Sequence, residues 1–153
     1  MELNTKARYA VMAMADLAKY GNGGAVPLSA IADRQQLSLA YLEQIFLRLR
    51  RAGLVESERG RAGGYRLGRP AYAIFIAEIM SAVEEETRMT RCLGSETSCL
   101  GSDNRCLTHS LWSALGGHIR AFLSEVSLQE VIDGIPEAKL AAPAGHDVTE
   151  AAE

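Results

Sequence analysis

Residues 37–70 read LSLAYLEQIFLRLRRAGLVESERGRAGGYRLGRP, and a change of hydrophobic period inside them decides the fold. Leu42, Ile45, Phe46 and Leu49 recur three and four apart, the spacing of one apolar side of a helix. Ser38 is a good N-cap for that helix and Gly53 supplies its stop. Leu54 and Val55 then begin a short strand, RGRAGG (59–64) turns on three glycines, and Tyr65 to Leu67 returns as the second strand. A helix followed at once by a hairpin is half of a known DNA-binding architecture. The other half lies just upstream. LSAIADRQQ, Leu28 to Gln36, reads as a short helix with Ser29 as its cap, and two short helices across a tight break form a helix-turn-helix. With the hairpin attached, the motif is the winged variant.

Further out, Asn4 or Thr5 caps a first helix running to Tyr20, with Tyr9, Ala10, Met12, Ala13, Leu17 and Ala18 on its apolar side. YGNGGAVP (20–27) is rich in turn formers and reads as a loop. Tyr72 to Val83 closes the unit as another helix, burying Ile74, Ile76, Ala77, Ile79, Met80 and Val83. The expected fold class is mainly α with a small β-wing: a winged helix-turn-helix domain over residues 1–85.

Charge supports a polyanionic partner. The chain of 153 residues carries a net −3, but Arg48, Arg50, Arg51, Arg59, Arg61, Arg66 and Arg69 face only Glu56 and Glu58. A basic patch on a chain that is not basic overall suits nucleic acid, although on charge alone a solvated arginine face is the favoured reading. Arg59 and Arg61 sit among glycines at the hairpin tip, where a guanidinium reaches outward with little bulk beside it. Arginine suits phosphates and a narrow minor groove.

At 48% hydrophobic residues the chain buries a core without disulfides. No apolar run is long enough to span a bilayer, and MELNTKARYA lacks the cationic-then-apolar pattern of a secretory signal, so a cytoplasmic address is expected. No Ser–His–Asp arrangement, phosphate loop or carboxylate pair stands out, so the chain is not read as an enzyme.

All three cysteines lie in RCLGSETSCLGSDNRCLTH (91–109), spaced C-x6-C-x6-C-x2-H. Cys92, Cys99, Cys106 and His109 form a donor set of soft sulfur and imidazole, with Gly94 and Gly101 letting the backbone fold around a centre. Structural zinc accepts such donors but usually offers C-x2–4-C knuckles, absent here. Wider gaps suit an iron–sulfur cluster. Free thiols or a thiol redox switch remain the alternatives. A neutral imidazole in place of a fourth thiolate makes a less negative, more easily reduced and more labile site. The last pair, three residues apart, is expected on one face of a helix's first turn. His118 and His146 have no comparable neighbours.

That helix is expected to run through LTHSLWSALGGHIRAFLSEVSLQEVI, with Leu107, Leu111, Leu115, Ile119 and Phe122 or Leu123 as a stripe flanked by Trp112 and Val126. The stripe is wide for a helix of a small monomer and is read as a dimerisation surface over residues 107–133. Residues 86–110 form the cluster-binding loop, and 134–153 an alanine-rich mobile tail.

Together, SLAYLEQIFLRLRRAGLVESERGRAGGYRLGR and the RC…C…CLTHSLW segment resemble the IscR-type iron–sulfur cluster regulators, a family of winged-helix bacterial transcription factors. TKARYAVMAM and AEIMSAVEE fit the same resemblance, which spans about Leu3 to Glu130. It implies a homodimer on double-stranded operator DNA, with a 2Fe–2S cluster on Cys92, Cys99, Cys106 and His109. It further implies that cluster occupancy changes promoter affinity and represses cluster-assembly genes, with cluster-assembly scaffold proteins as donors. Ser38, Tyr41 and Gln44 are implied as base or phosphate contacts, Arg59 as a minor-groove residue, and Glu43 as an acidic residue disfavouring one operator class. Arg61 adds a phosphate contact where the family's wing tip is more Pro/Gly-like. The cysteine gaps are each one residue longer than the family form, and Ala40 stands where serine is common. Related nitric-oxide sensors take an acidic ligand from the first helix, where this chain has Arg8, and His109 favours the IscR type. A nitric-oxide or redox-responsive repressor of the same family, or an electron-transfer or cluster-carrier protein, are the competing readings.

Overall fold

A computed structural model describes residues 5–61, 63–83 and 107–140. The elements are α1 (Thr5–Tyr20), α2 (Leu28–Gln35), α3 (Leu39–Arg51), β1 (Val55–Glu58), β2 (Gly64–Leu67), a 3-10 turn at Ala71–Ala73, α4 (Ile76–Ala82), α5 (His109–Glu125), α6 (Leu128–Asp133) and α7 (Glu137–Leu140). Among the described residues the architecture is helical, with one two-stranded antiparallel sheet.

The first helix has the bounds its sequence implies. It buries Ala7, Ala10, Ala13, Met14 and Leu17, and three alanines let neighbouring helices approach closely. Helix α2 starts differently from the expectation. Pro27, not Ser29, holds the N-cap position, with no side-chain hydrogen bond, and Ser29 is an exposed residue inside the helix. Proline's locked φ and missing N–H suit a helix entrance. Gln36 ends α2 in the left-handed region (φ 54°), returning its N–H to the Ala32 carbonyl. That single left-handed residue makes the sharp turn of the helix-turn-helix.

Helix α3 buries Leu42, Ile45, Phe46 and Leu49, the four positions its period implies. Its exit is a Schellman motif. Gly53 adopts φ 72°, its N–H donates to the Arg50 carbonyl at 3.0 Å, and the Leu54 N–H reaches the Leu49 carbonyl at 3.0 Å. Leu54 is buried, so the chain enters the hairpin already anchored. The wing pairs Val55↔Leu67, Glu56↔Arg66, Ser57↔Tyr65 and Glu58↔Gly64. Val26 and Tyr65 exchange two backbone hydrogen bonds of 2.8 Å, tying the wing to the loop before α2. Gly64 is required beside that pair, since any Cβ there would collide with the Val26 backbone.

Two expected helices are broken. The segment expected as one helix from Tyr72 to Val83 is a 3-10 turn, an extended Ile74–Phe75 step, and α4. The helix expected to run unbroken to Ile132 stops at Glu125, with Val126 extended (φ −89°, ψ 117°) and Ser127 capping α6. One physical reason covers both breaks. The Ile76 N–H donates to the Val126 carbonyl at 3.0 Å and the Leu128 N–H to the Ile74 carbonyl at 2.7 Å, so both strands of chain are extended to pair. Ser127 and Glu130 complete a capping box, with the Ser127 N–H donating to Glu130 Oε2 at 2.8 Å and the Glu130 N–H to Ser127 Oγ at 3.2 Å.

The core therefore differs from a 1–85 unit followed by a separate 107–133 helix. Val126 and Leu128 are buried in the same apolar cluster as Met14, Phe46 and Ile79. Beyond it, α7 forms a helical turn inside the segment expected as tail, held by Lys139, whose ammonium donates to Glu130 Oε1 and to the Glu125 carbonyl, each at 2.6 Å.

Candidate nucleic-acid interface and metal centre

Helix α3 is held by its buried face, which leaves the opposite face for a partner. Ser38, Glu43 and Gln44 are exposed, together with Ala40, Arg50 and Arg51. Ser38 Oγ accepts from the Tyr41 N–H at 3.4 Å, so Ser38 is a helix cap whose own O–H proton is still available to a phosphate. Tyr41 is half-buried and stands edge-on to Tyr9 of α1, with centroids 6.0 Å apart and planes at 88°. Its ring is a packing element, and only its hydroxyl end suits an external contact. Phe46 meets Tyr65 edge-on at 4.9 Å, which fixes the wing relative to α3.

The structure sorts the arginine patch that the sequence presents as one group. Arg66 lies 2.7 Å from Glu56 and 3.2 Å from Glu58, taking both wing carboxylates. Arg69 pairs with Glu78 at 2.7 Å. Arg50 donates to the Ser57 hydroxyl at 3.3 Å, a neutral partner that leaves its charge uncancelled. Arg59 and Arg61 are exposed at the wing tip, where no ion pair engages them among the described residues. The positive charge left over thus lies at the C-terminal end of α3 and at the wing tip.

A buried ionic lock joins α1 to α2, and the sequence reading passed over it. The Asp16 side chain is fully buried on α1, accepting from Arg34 Nη2 at 2.6 Å, from Arg34 Nε at 3.0 and 3.1 Å, and from Gln35 Nε2 at 2.7 Å. Tyr20 lies 4.8 Å from the guanidinium carbon of Arg34. A carboxylate on the apolar face of α1, between Ala13 and Leu17, was the available signal.

Cys92, Cys99 and Cys106 lie outside the described residues. His109 is the first residue of α5, half-buried, after Thr108 at the N-cap. The expected pairing of Cys106 with His109 on a first helical turn falls on a residue outside those described; α5 itself begins at His109. Among the described residues no group of three or more possible ligands gathers elsewhere. On α5 itself, Leu111, Trp112, Leu115 and Phe122 are exposed, while Gly116 is buried. No described helix is long and apolar enough to cross a membrane.

A capped recognition helix, a preceding helix locked by a left-handed turn, and an arginine-tipped hairpin define a winged helix-turn-helix DNA-binding regulator. The chain belongs to the Rrf2 family, described as iron-dependent transcriptional regulators, whose family model covers residues 3–134. It is 54% identical over 132 residues to the HTH-type transcriptional regulator IscR of Xenorhabdus nematophila, across 86% of this chain and 79% of that one. Identity to IscR of Yersinia pestis is 46% over 133 residues, across 87% and 80% of the two chains. Among solved structures, T. potens IscR superposes with a TM-score of 0.72 at 34% identity, covering 94% of each chain. CymR, the global cysteine regulator of B. subtilis, gives 0.74 at 31% identity over 89% of this chain and 99% of that one. The chain is a transcriptional regulator of the IscR type within its family.

Proposed function

We propose that this regulator senses iron–sulfur supply by holding a 2Fe–2S cluster on Cys92, Cys99, Cys106 and His109. The donor set carries the reading: three thiolates and one imidazole within eighteen residues, in a chain of IscR type, match the chemistry of such a cluster. When bound, the cluster supplies a redox-active, labile group whose presence reports cluster availability. The protein's own part is to fix one ligand, His109, at the start of α5, whose far end is stitched to the start of α4 by the Val126–Ile76 and Leu128–Ile74 hydrogen bonds. Holding a cluster through His109 would thus act on elements that share a core with the recognition helix.

The same reading places two copies of the chain together along the exposed α5 stripe and sets them on double-stranded operator DNA in the cytoplasm, with scaffold proteins of cluster assembly as donors. Dimers of this kind read two half-sites whose spacing is a geometric requirement. Ser38, Tyr41 and Gln44 contact bases or phosphates from α3. Arg59 enters the minor groove, and Arg61 takes a phosphate. Glu43 disfavours one operator class, because a carboxylate facing DNA costs binding unless it accepts from a cytosine amine. A coupling of about 1–3 kcal/mol between cluster and DNA makes a five- to 150-fold switch.

Anaerobically prepared protein is expected to be reddish-brown, with about two iron and two sulfide per chain. Cys92→Ser, Cys99→Ser, Cys106→Ser and His109→Ala should each bleach or shift the visible spectrum. Holo and apo protein should then differ in affinity for DNA upstream of cluster-assembly genes. Equal affinities at every site tested would sink the sensing role.

A further inference from the structure

Arg66 plays no part in the contacts proposed above, yet it occupies the centre of the wing. It stands opposite Glu56 in the β1–β2 register, with its Nη2 donating to Glu56 Oε2 at 2.7 Å. Its Nε lies 3.2 Å from Glu58 Oε1. Strand side chains alternate between faces, so Glu56, Glu58 and Arg66 share the hairpin face opposite Ser57 and Tyr65, the face that meets α3. All three side chains are about half exposed, at 54%, 46% and 47%. Exposed ion pairs contribute little to stability, so folding energy does not account for one arginine gathering two carboxylates.

Position accounts for it better. Glu58 is the last residue of β1 and the chain neighbour of Arg59. Arg59 is the next residue after Glu58 and Arg61 the third, a chain spacing comparable with the roughly 10 Å over which charges act at moderate salt. Arg59 and Arg61 are the cations nearest in sequence that these carboxylates would find if Arg66 were absent. We propose that Arg66 is a positioning residue for DNA binding: by holding Glu56 and Glu58 along the strand, it keeps both from pairing with Arg59 and Arg61. The tip guanidiniums then meet phosphate without first breaking a pair within the protein. This rests on the wing-tip contact proposed above.

The test is a binding cycle with full-length protein on a labelled operator duplex across a salt series. Arg66→Gln should weaken binding roughly tenfold, the share of about two phosphate contacts, and flatten the salt slope by about one to two. In a Glu56→Gln/Glu58→Gln background the same Arg66→Gln change should cost less than about twofold, because no carboxylate remains to capture the tip. Arg66→Lys should recover part of the loss. Thermal melts of each variant report folding, and the Glu56→Gln/Glu58→Gln/Arg66→Gln protein, in which this face carries no charge, keeps the comparison open if Arg66→Gln alone folds poorly. An equal cost of Arg66→Gln in both backgrounds would overturn the proposal and make Arg66 one cation among several. Arg59→Ala/Arg61→Ala is the separate control: unchanged binding there would refute the wing-tip contact itself, whereas a loss there with equal Arg66 costs would refute only the role of Arg66.

Discussion

Helices α3 and α5 carry similar apolar stripes at helical spacing and end in opposite situations. Helix α3 buries Leu42, Ile45, Phe46 and Leu49 within its own chain and shows polar and cationic groups outward. Helix α5 leaves Leu111, Trp112, Leu115 and Phe122 at 37–59% exposure, with Gly116 its one buried residue. A surface stripe of that kind is uncommon on a monomer and marks a protein partner, while a polar, arginine-flanked face suits a polyanion. In the reading proposed here, the regulator offers one helix to DNA and the other to a second copy of itself.

The largest effect should come from the buried stripe. Phe46→Ala removes the ring that meets Tyr65 and should cost about 3–5 kcal/mol of stability in denaturant titrations. A loss under 1 kcal/mol would mean that α3 is not held as described. On α5 the same logic predicts little change in monomer folding and a large change in assembly. Trp112→Ala together with Leu115→Glu should shift sedimentation from dimer to monomer, and an unchanged sedimentation coefficient would break the contrast between the helices. Between them in size lies the ionic lock. Asp16→Ala leaves the Arg34 guanidinium and Gln35 amide without their acceptor, and since Arg34 is partly exposed water offsets some of that. A cost of about 1–3 kcal/mol is expected, read from thermal melts.

The smallest effect concerns the break after α5. Glu130 is held down to about 2, first by the hydrogen bond from Lys139, then by the Ser127 N–H and hydroxyl. A depressed carboxyl stabilises the fold above its ordinary value of 4.5, and that contribution disappears as pH falls toward 2. Glu130→Gln should therefore flatten the acid limb of the stability curve between those values. Identical acid limbs in the two proteins would show that the α6 cap and the Lys139 contact carry no pH dependence.

Much of the winged unit was legible because its signals are local. The α3 period, the Ser38 cap, the Gly53 stop and the glycine turn of the hairpin each act within a few residues, and each appears where its chemistry implies. The breaks at Ile74–Phe75 and Val126–Ser127 were not legible, because two distant segments pair there and local apolar spacing continued through both as if helical. The arginine patch was legible as composition but not as electrostatics. Which guanidiniums are cancelled depends on cross-strand register and on Glu78 reaching back to Arg69.

Sequence by itself determined the recognition helix, the wing and the first helix, since residue type and short spacing carry those. Tertiary structure alone decided that 126–133 returns to the winged core, that Asp16 binds α2 to α1, and that Arg59 and Arg61 keep their charge at the tip. These outcomes turn on which remote partners satisfy a backbone N–H, a buried carboxylate or a guanidinium, and distance along the chain says little about that.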